Sequence, residues 1–210
     1  MKTSILLKKM YTDGRDFITS DEVGEYCRLL ELNYNTILRY LLSRKYVIRI
    51  FRGIFYLRTP EEIKLGRNKY SPLELVSKGL GMKGVKKWYF GLYSALKMNN
   101  MTHENFTVDC VMNDKIFRAK PMEIAGSEFR FLKIRDNLLD FGIIGDKMRH
   151  SDPEKTILDF IYIWRYNGIP EEKIIMDISE YSKNVSRKKL AEYAKKYPKS
   201  VRMIADKVIV

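Results

Sequence analysis

The spacing of apolar residues changes between residues 33 and 57, and this change predicts a helix that runs into a β-hairpin. The apolar positions at helical spacing are Ile37, Leu38, Leu41 and Leu42. They form one stripe along a helix. After Lys45 the period is nearer to two, and β-branched and aromatic residues fill 46–50 and 54–57, as in paired strands. Gly53 supplies the positive φ that the turn between them needs.

Two further helices are predicted upstream, which together suggest a DNA-binding domain. Thr19 and Glu22 have the spacing of a capping box, so a helix begins after Thr19, and a first helix covers about 5–11. The order of three helices and a hairpin is that of a winged helix-turn-helix, which we assign to residues 1–68. A helix-hairpin unit that only packs a core, or one that contacts proteins, would have the same pattern.

The outward face of the third predicted helix and the hairpin carries polar and basic side chains. Amide and guanidinium groups can bond base edges bidentately, which suits Asn35, Thr36 and Arg39. The cations near the end of the helix and on the hairpin suit phosphates. The predicted DNA-binding residues are Tyr34, Asn35, Thr36, Arg39, Tyr40, Arg44, Lys45, Arg49 and Arg52.

The remainder, residues 69–210, has the pattern of a second domain. Ser71 and Pro72 open a helix that Gly79 would end. Strands are predicted at 88–90, 106–111, 115–119, 128–135 and 141–145, and helices from Asp152 onward, at 170–181, 186–197 and 201–208. We therefore predict an α+β protein: a winged helix-turn-helix followed by a C-terminal α/β domain with a small, mostly antiparallel sheet and terminal helices.

Composition and net charge limit the classes of binding partner and the cellular setting that we expect. The 210 residues carry a net charge of +13 and a pI of about 9.6, which favours a polyanion or an acidic protein surface. Cys27 and Cys110 each lie in an apolar pattern, so we predict buried free thiols and a reducing, cytoplasmic setting. No apolar run approaches the roughly 18 residues of a membrane span, and the first residues lack the apolar segment of a signal peptide.

The C-terminal segment 183–207 is strongly basic. It holds nine Lys or Arg residues against Glu192 and Asp206. A solvated helical face is the usual meaning of such a run. An acidic protein partner or the DNA backbone is the alternative, and the candidate partner-binding residues are then Arg187, Lys188, Lys195 and Lys196.

Short motifs elsewhere contain the residues of catalytic or cofactor-binding patterns but lack the structural context that those patterns require. The run 79–84, GLGMKG, has the spacing of a dinucleotide-binding loop. That loop follows a strand and opens a helix, whereas here a helix precedes and a strand follows. Ser94 is predicted inside a helix rather than at a strand-to-helix turn, which argues against a nucleophile. His103 and His150 lack neighbouring ligands, so no metal site is predicted.

The acidic residues near 152–159 have structural interpretations. Asp152 before Pro153 indicates an N-cap, and Glu154 suits the positive end of the helix dipole. Asp159 and Lys155 have the spacing of a helix-stabilising ion pair. We therefore predict no catalytic residue and no cofactor, so the protein is not expected to be an enzyme.

Three segments resemble the AbiE-type (abortive infection) antitoxins, which are transcriptional regulators of type IV toxin-antitoxin systems. They are TILRYLLSRKYVIRIFRGIFYL, WYFGLYSALKMNNMT and SDPEKTILDFIY. The resemblance implies that residues 1 to about 68 bind operator DNA upstream of the protein's own operon. It implies that the C-terminal domain counters a nucleotidyltransferase-like toxin encoded beside it. By the same resemblance Arg39, Arg44, Lys45, Arg49 and Arg52 face DNA, whereas Ser94 and 154–159 are structural.

The sequence thus leads to two hypotheses from different classes. The first is a sequence-specific DNA-binding regulator, which acts as an antitoxin. The second is a non-catalytic interaction protein whose basic C-terminal surface binds an acidic partner, with DNA binding secondary. A third, an enzyme acting on nucleic acid, has no support beyond the presence of carboxylates.

Overall fold

Two separate β-sheets, each accompanied by helices, make the chain an α+β protein. The computed structural model describes residues 2–183 and 185–208. By contacts between Cα atoms, the chain divides into two compact units, Met1–Gly84 with Ile124–Gly126 and Val85–Glu123 with Ser127–Val210.

The first unit begins with three helices and a three-stranded antiparallel sheet. Its elements are α1 (Lys2–Thr12), β1 (Phe17–Thr19), α2 (Ser20–Leu29), α3 (Tyr34–Ser43), β2 (Val47–Phe51), β3 (Ile54–Leu57), α4 (Pro60–Leu65) and α5 (Pro72–Met82). The strand order is β1-β3-β2. The second and third predicted helices and the hairpin are therefore present. Strand β1 was not predicted, because three residues are too few to show a period.

Local caps explain where these helices start. The predicted capping box of Thr19 and Glu22 is confirmed, since Thr19 accepts from the Glu22 amide and Glu22 accepts from the Thr19 amide. The same device opens α4 at Thr59 and α5 at Ser71. Each such cap contributes about 1 kcal/mol to helix stability, which fixes the helix boundaries from local sequence.

The apolar stripe of α3 points into the core of the first unit. Ile37 and Leu41 are buried there, and Leu38 and Leu42 pack against its edge. The other buried members are Leu6, Met10, Ile18, Val23, Cys27, Val47, Phe55 and Leu57. This burial leaves the opposite face of α3 in solvent.

Helix α5 does not end at Gly79, contrary to the sequence expectation, but continues to Met82. A Cβ atom at Gly79 would lie 2.6 Å from Ile50 Cγ2 and 3.0 Å from Phe51 Cε2. The missing side chain lets α5 pack closely on β2, and this contact outweighs the low helix propensity of glycine. Helix α5 therefore belongs to the first unit, and the division after Gly84 differs from the boundary predicted after residue 68.

We expect Gly79→Ala to destabilise the protein and Gly81→Ala, in the same helix, not to do so. The added methyl at Gly79 forces the Ile50 and Phe51 side chains apart, at a cost of about 1 to 3 kcal/mol. A Cβ at Gly81 meets no atom within 4 Å and gains up to about 1 kcal/mol of helix propensity. Urea unfolding of the two variants measures the difference. Equal stability would contradict the close approach of α5 to β2.

The second unit contains the remaining helices and a six-stranded sheet, except that Ile124 at the end of one strand is assigned to the first unit. Its elements are β4 (Trp88–Gly91), α6 (Tyr93–Met98), β5 (Val108–Asn113), β6 (Met122–Ile124), β7 (Ser127–Lys133), a 3-10 turn (Asp136–Leu138), β8 (Ile143–Ile144), β9 (His150–Ser151), α7 (Pro153–Tyr166), α8 (Glu171–Ser179), α9 (Arg187–Ala194) and α10 (Lys199–Val208). The strand order is β6-β7-β5-β4-β9-β8.

The sheet of this unit is mixed, whereas a mostly antiparallel sheet was predicted. Strand β5 pairs with β7 in parallel, and so does β4 with β9, whereas the β4–β5 and β8–β9 pairs are antiparallel. The segment 114–126 between β5 and β7 is long enough for the crossover that parallel pairing needs. Turn residues alone do not distinguish such a crossover from a hairpin.

Residues 115–119, predicted to be a strand, form a loop. The fully buried Asn113 side chain holds it: Oδ1 accepts from the Lys115 amide at 2.9 Å, and Nδ2 donates to the Ile116 carbonyl at 3.0 Å. An asparagine side chain that mimics the backbone in this way favours a turn over a strand. The alternation of apolar and polar residues at 115–119 therefore does not mark a strand here.

Helices α7 to α10 pack over one face of this sheet. Ile157, Leu158 and Ile161 of α7 are fully buried, as their helical spacing predicted, together with Tyr89 and Met112 from the sheet. Both cysteines are free and buried, as expected. Within residues 2–183 and 185–208, no helix combines the length and apolar character needed to cross a bilayer.

Candidate nucleic-acid interface

A continuous basic and acid-free segment runs from α3 through the β2–β3 hairpin. Residues 33–57 contain no Asp or Glu. All of their basic side chains are exposed, namely Arg39, Arg44, Lys45, Arg49 and Arg52. Such a local excess of one sign concentrates positive potential on one part of the surface, which attracts polyanions.

The solvent face of α3 carries the polar side chains that the sequence singled out. Asn33 is the N-cap, and its Oδ1 accepts from the Thr36 amide at 3.1 Å and the Thr36 hydroxyl at 3.2 Å. One turn on, Arg39 Nε donates to the Asn35 carbonyl at 3.3 Å, which lays the guanidinium along the helix. Asn35, Thr36 and Arg39 are all exposed. All three side chains therefore lie at the surface of α3, with Arg39 one turn after Asn35.

Tyr34 and Tyr40 occupy a different position from the other predicted DNA-binding residues. Both are half-buried and pack against the core of the first unit. The Tyr40 ring also contacts Tyr46, with ring centroids 5.8 Å apart, and a hydrogen bond with Tyr46 raises the pKa of the Tyr40 phenol. The two tyrosines therefore lie beside the polar face of α3 and do not form part of it.

The hairpin and the turn before it display the remaining cations. Arg44 is the C-cap of α3, and Lys45 follows with a positive φ of 57°. The Arg49 guanidinium lies over the Phe55 ring at 5.8 Å from its centroid, and Arg52 is exposed in the turn beside Gly53. The confirmed positive φ of Gly53, 79°, makes this tight turn possible.

Arg58 is a residue of this region that the sequence did not indicate. It is buried, and its guanidinium donates to the Glu62 carbonyl at 2.7 Å and to the Lys45 carbonyl at 3.4 Å. It therefore ties the end of β3 to the turn that presents Lys45. Nothing in the local pattern distinguishes it from the exposed arginines, because its burial depends on α4.

The C-terminal candidates lie near the two ends of α9. Arg187 and Lys188 are in its first turn, whereas Lys195 and Lys196 follow its last turn, and all four side chains are exposed. Lys196 lies over the Phe141 ring at 4.1 Å from its centroid.

Lys189, between these candidates, has a structural role. Its Nζ lies 3.0 Å from Asp152 and 2.9 Å from Glu154. Asp152 is the N-cap of α7, as predicted, and accepts from the Lys155 amide at 2.8 Å. Burial opposes ionisation of Glu154, but the bonds from Lys189 and the Ser186 amide outweigh it and lower the pKa of Glu154. These contacts join α9 to the start of α7.

Lys155 and Asp159 form the predicted pair, but inside the protein rather than on a solvated face. Their charged atoms are 3.4 Å apart, and both side chains are fully buried. Lys155 also donates to the Leu138 carbonyl at 2.7 Å, and Tyr89 and Tyr197 each donate to Asp159 at 2.7 Å. Burial lowers the pKa of Lys155, and Asp159 opposes that shift. The network is closed to substrate and satisfies its own polar atoms.

Ser94 lies inside α6, as the sequence predicted, and it is held as a structural residue. Its hydroxyl donates to Asp109 at 2.7 Å and accepts from the Cys110 amide at 2.8 Å. The residue at the turn itself is Leu92, with φ 52° and ψ −128°. No group of three or more His, Cys, Asp and Glu side chains within the described ranges could hold a metal ion.

The fold of the chain is similar to that of a solved protein structure. The crystal structure of Rv2827c protein from Mycobacterium tuberculosis matches 99% of this chain and 76% of that chain, with a TM-score of 0.60 and 11% sequence identity. No protein-family model and no curated protein matches the sequence. At this identity the likeness concerns the fold alone.

Proposed function

We propose that the first unit is a winged helix-turn-helix that reads double-stranded DNA and that the protein is a transcriptional regulator. The observation that carries the proposal is the acid-free segment 33–57, in which exposed polar groups on α3 are followed along the chain by exposed cations on the hairpin. In this arrangement α3 enters the major groove, Asn35, Thr36 and Arg39 contact base edges, and the hairpin lies along the phosphates.

Binding to the protein's own upstream DNA tests this proposal. Fluorescence anisotropy compares that DNA with a scrambled duplex of the same length and composition across a salt series. Specific recognition gives a preference of about a thousandfold or more. Binding of equal strength to both duplexes, with a steep dependence on salt, would mean that the charge acts generically and that no operator is read.

We expect Arg39→Ala to weaken binding to the preferred site by about 1 to 3 kcal/mol and to blunt sequence preference. The guanidinium can donate two parallel hydrogen bonds to a guanine edge, which alanine cannot replace. Anisotropy titrations on the preferred site and on variants with single base changes measure both effects. Equal weakening on every sequence would show that Arg39 contacts only phosphate.

We further propose, on the resemblance to AbiE-type antitoxins, that the regulator represses its own operon and counters a nucleotidyltransferase-like toxin encoded beside it. Co-expression of the chain with the neighbouring gene, scored by cell growth, tests neutralisation. If the chain does not restore growth, the antitoxin role is contradicted. The regulator role is tested separately, because operator binding is measured independently.

A second candidate function is an interaction protein whose basic C-terminal surface holds an acidic partner. The first turn of α9 contains basic residues and no acidic residue, which opposes the helix dipole and weakens the helix. Lys189 is compensated by Asp152 and Glu154, and Arg187 and Lys188 are exposed. An acidic protein surface would offset the cost of the basic first turn. Calorimetric titration with the product of the neighbouring gene tests this function directly.

A further inference from the structure

A pocket of about 390 Å³ opens in the second unit. Strands β5 and β7 contribute Cys110, Arg130 and Leu132, and the turn before α6 contributes Leu92. Phe106 and Trp164 line the remaining walls of the pocket. The volume lies in the range of small-molecule sites, which are typically apolar with a few placed polar groups.

Arg130 is the one charged side chain among the described residues of the pocket lining. It pairs in register with Cys110 on the neighbouring strand, so both side chains point to the same side of the sheet. The flanking Phe129 and Phe131 are fully buried and point to the other side. The alternation of β7 thus directs a charge to the side that carries the pocket.

The guanidinium has no hydrogen bond or ion pair with another side chain within residues 2–183 and 185–208. It does act electrostatically on two groups of the lining. Burial raises the pKa of Cys110 to about 12 and also raises that of Tyr93, and the Arg130 charge opposes both shifts. The Arg130 charge therefore acts inside the pocket. No Asp or Glu belongs to the described lining, but the carboxylates of Asp177 and Glu104 act on Tyr93 in the opposite direction, and that of Asp109 does so on Cys110.

The rest of the lining favours an aromatic ligand. Phe106 packs on Tyr93 with ring centroids 4.4 Å apart, and Trp164 packs on Phe160 at 4.9 Å. Rings fixed in this way offer preorganised edges and faces for a further ring. Leu92 holds its part of the wall in a strained backbone conformation, with φ 52° and ψ −128°, and such strain clusters at ligand sites.

We propose that this pocket binds a small aromatic carboxylate, with the ring against Phe106 and Trp164 and the carboxylate paired with Arg130. A planar guanidinium matches a carboxylate with two parallel hydrogen bonds. The site stands independently of DNA binding, since none of its residues lies in segment 33–57.

Calorimetric titration of the full chain with 2-naphthoate and with its neutral twin 2-naphthamide tests the site. The carboxylate is expected to bind more tightly by about tenfold or more. Arg130→Gln should remove that preference. Arg135→Gln is the matched control, because Arg135 is an exposed arginine outside the pocket lining. It should keep the preference.

The position of the ligand is read from the two tryptophan indole N–H signals in NMR spectra. Naphthoate should shift the signal of Trp164, in the pocket, and leave that of Trp88 in place. Absence of binding at millimolar probe would overturn the proposal. So would equal affinity for the two probes, or a preference that survives Arg130→Gln.

Discussion

Replacing Lys155 with methionine should cost about 3 to 5 kcal/mol of folding free energy, because it leaves a buried carboxylate without its cation. Methionine keeps most of the aliphatic volume, so the loss is electrostatic rather than a packing defect. Asp159 retains the hydroxyls of Tyr89 and Tyr197, but the Leu138 carbonyl loses its donor. Denaturant unfolding of the full chain measures the change.

The chain contains a matched control for this substitution. Lys173 and Asp177 have the same spacing in a helix and a similar separation of 3.3 Å, but the Lys173 side chain is 56% exposed. Lys173→Met should therefore change stability by no more than about 0.5 kcal/mol. A double variant, K155M/D159N, should recover much of the loss, because it removes the uncompensated charge. Equal effects of the two lysine substitutions would contradict a buried electrostatic role for Lys155.

This contrast also shows which parts of the fold local sequence can predict. Helix starts at Thr19, Ser71 and Asp152 depend on residues within one turn, and all three were predicted from cap chemistry. The burial of Ile37 and Leu41 follows from the helical period in the same way. Lys155 and Asp159 have the local pattern of a surface pair. Their burial depends on distant elements, which their own helix does not reveal.

Strand pairing was not predictable for the same physical reason. The strand segments near β5 and β7 are visible as apolar runs, but the choice between a hairpin and a parallel crossover is made by what covers the sheet. Gly79 is a comparable case, since its helix continues only because β2 approaches it closely. The sequence therefore indicated the elements better than their partners.

The candidate interface likewise combines features that local sequence predicts with features that depend on distant elements. Exposure of Asn35, Thr36 and Arg39 results from the period of α3 and was expected. The half-burial of Tyr40 depends on Tyr46, which lies beyond the helix. The carboxylate pocket could not be foreseen, because β5, β7 and the end of α7 each contribute only a few residues. The structural role of Arg58 was not predicted, because its burial depends on α4.

The quadruple variant R44Q/K45Q/R49Q/R52Q should lose most of its affinity for DNA if these cations hold phosphates. Each lost phosphate contact lowers the slope of log K against log salt by about 0.9, so the variant should lose about 3 to 4 in slope. The corresponding loss of affinity is roughly a hundredfold or more near 0.1 M salt. Glutamine keeps side-chain volume and polarity, and all four positions are exposed, so folding should be little affected.

A charge-matched control separates contact from bulk attraction. The variant K9Q/K64Q/R67Q/K78Q removes four exposed cations of the same unit that lie outside segment 33–57. It should reduce the slope by much less, because charges farther than about 10 Å from the phosphates are largely screened at 0.1 M salt. Similar slopes for the two variants would mean that the positive charge of the unit acts as a whole. The hairpin would then have no special place in DNA binding, and the assignment of α3 to the major groove would lose its main physical support.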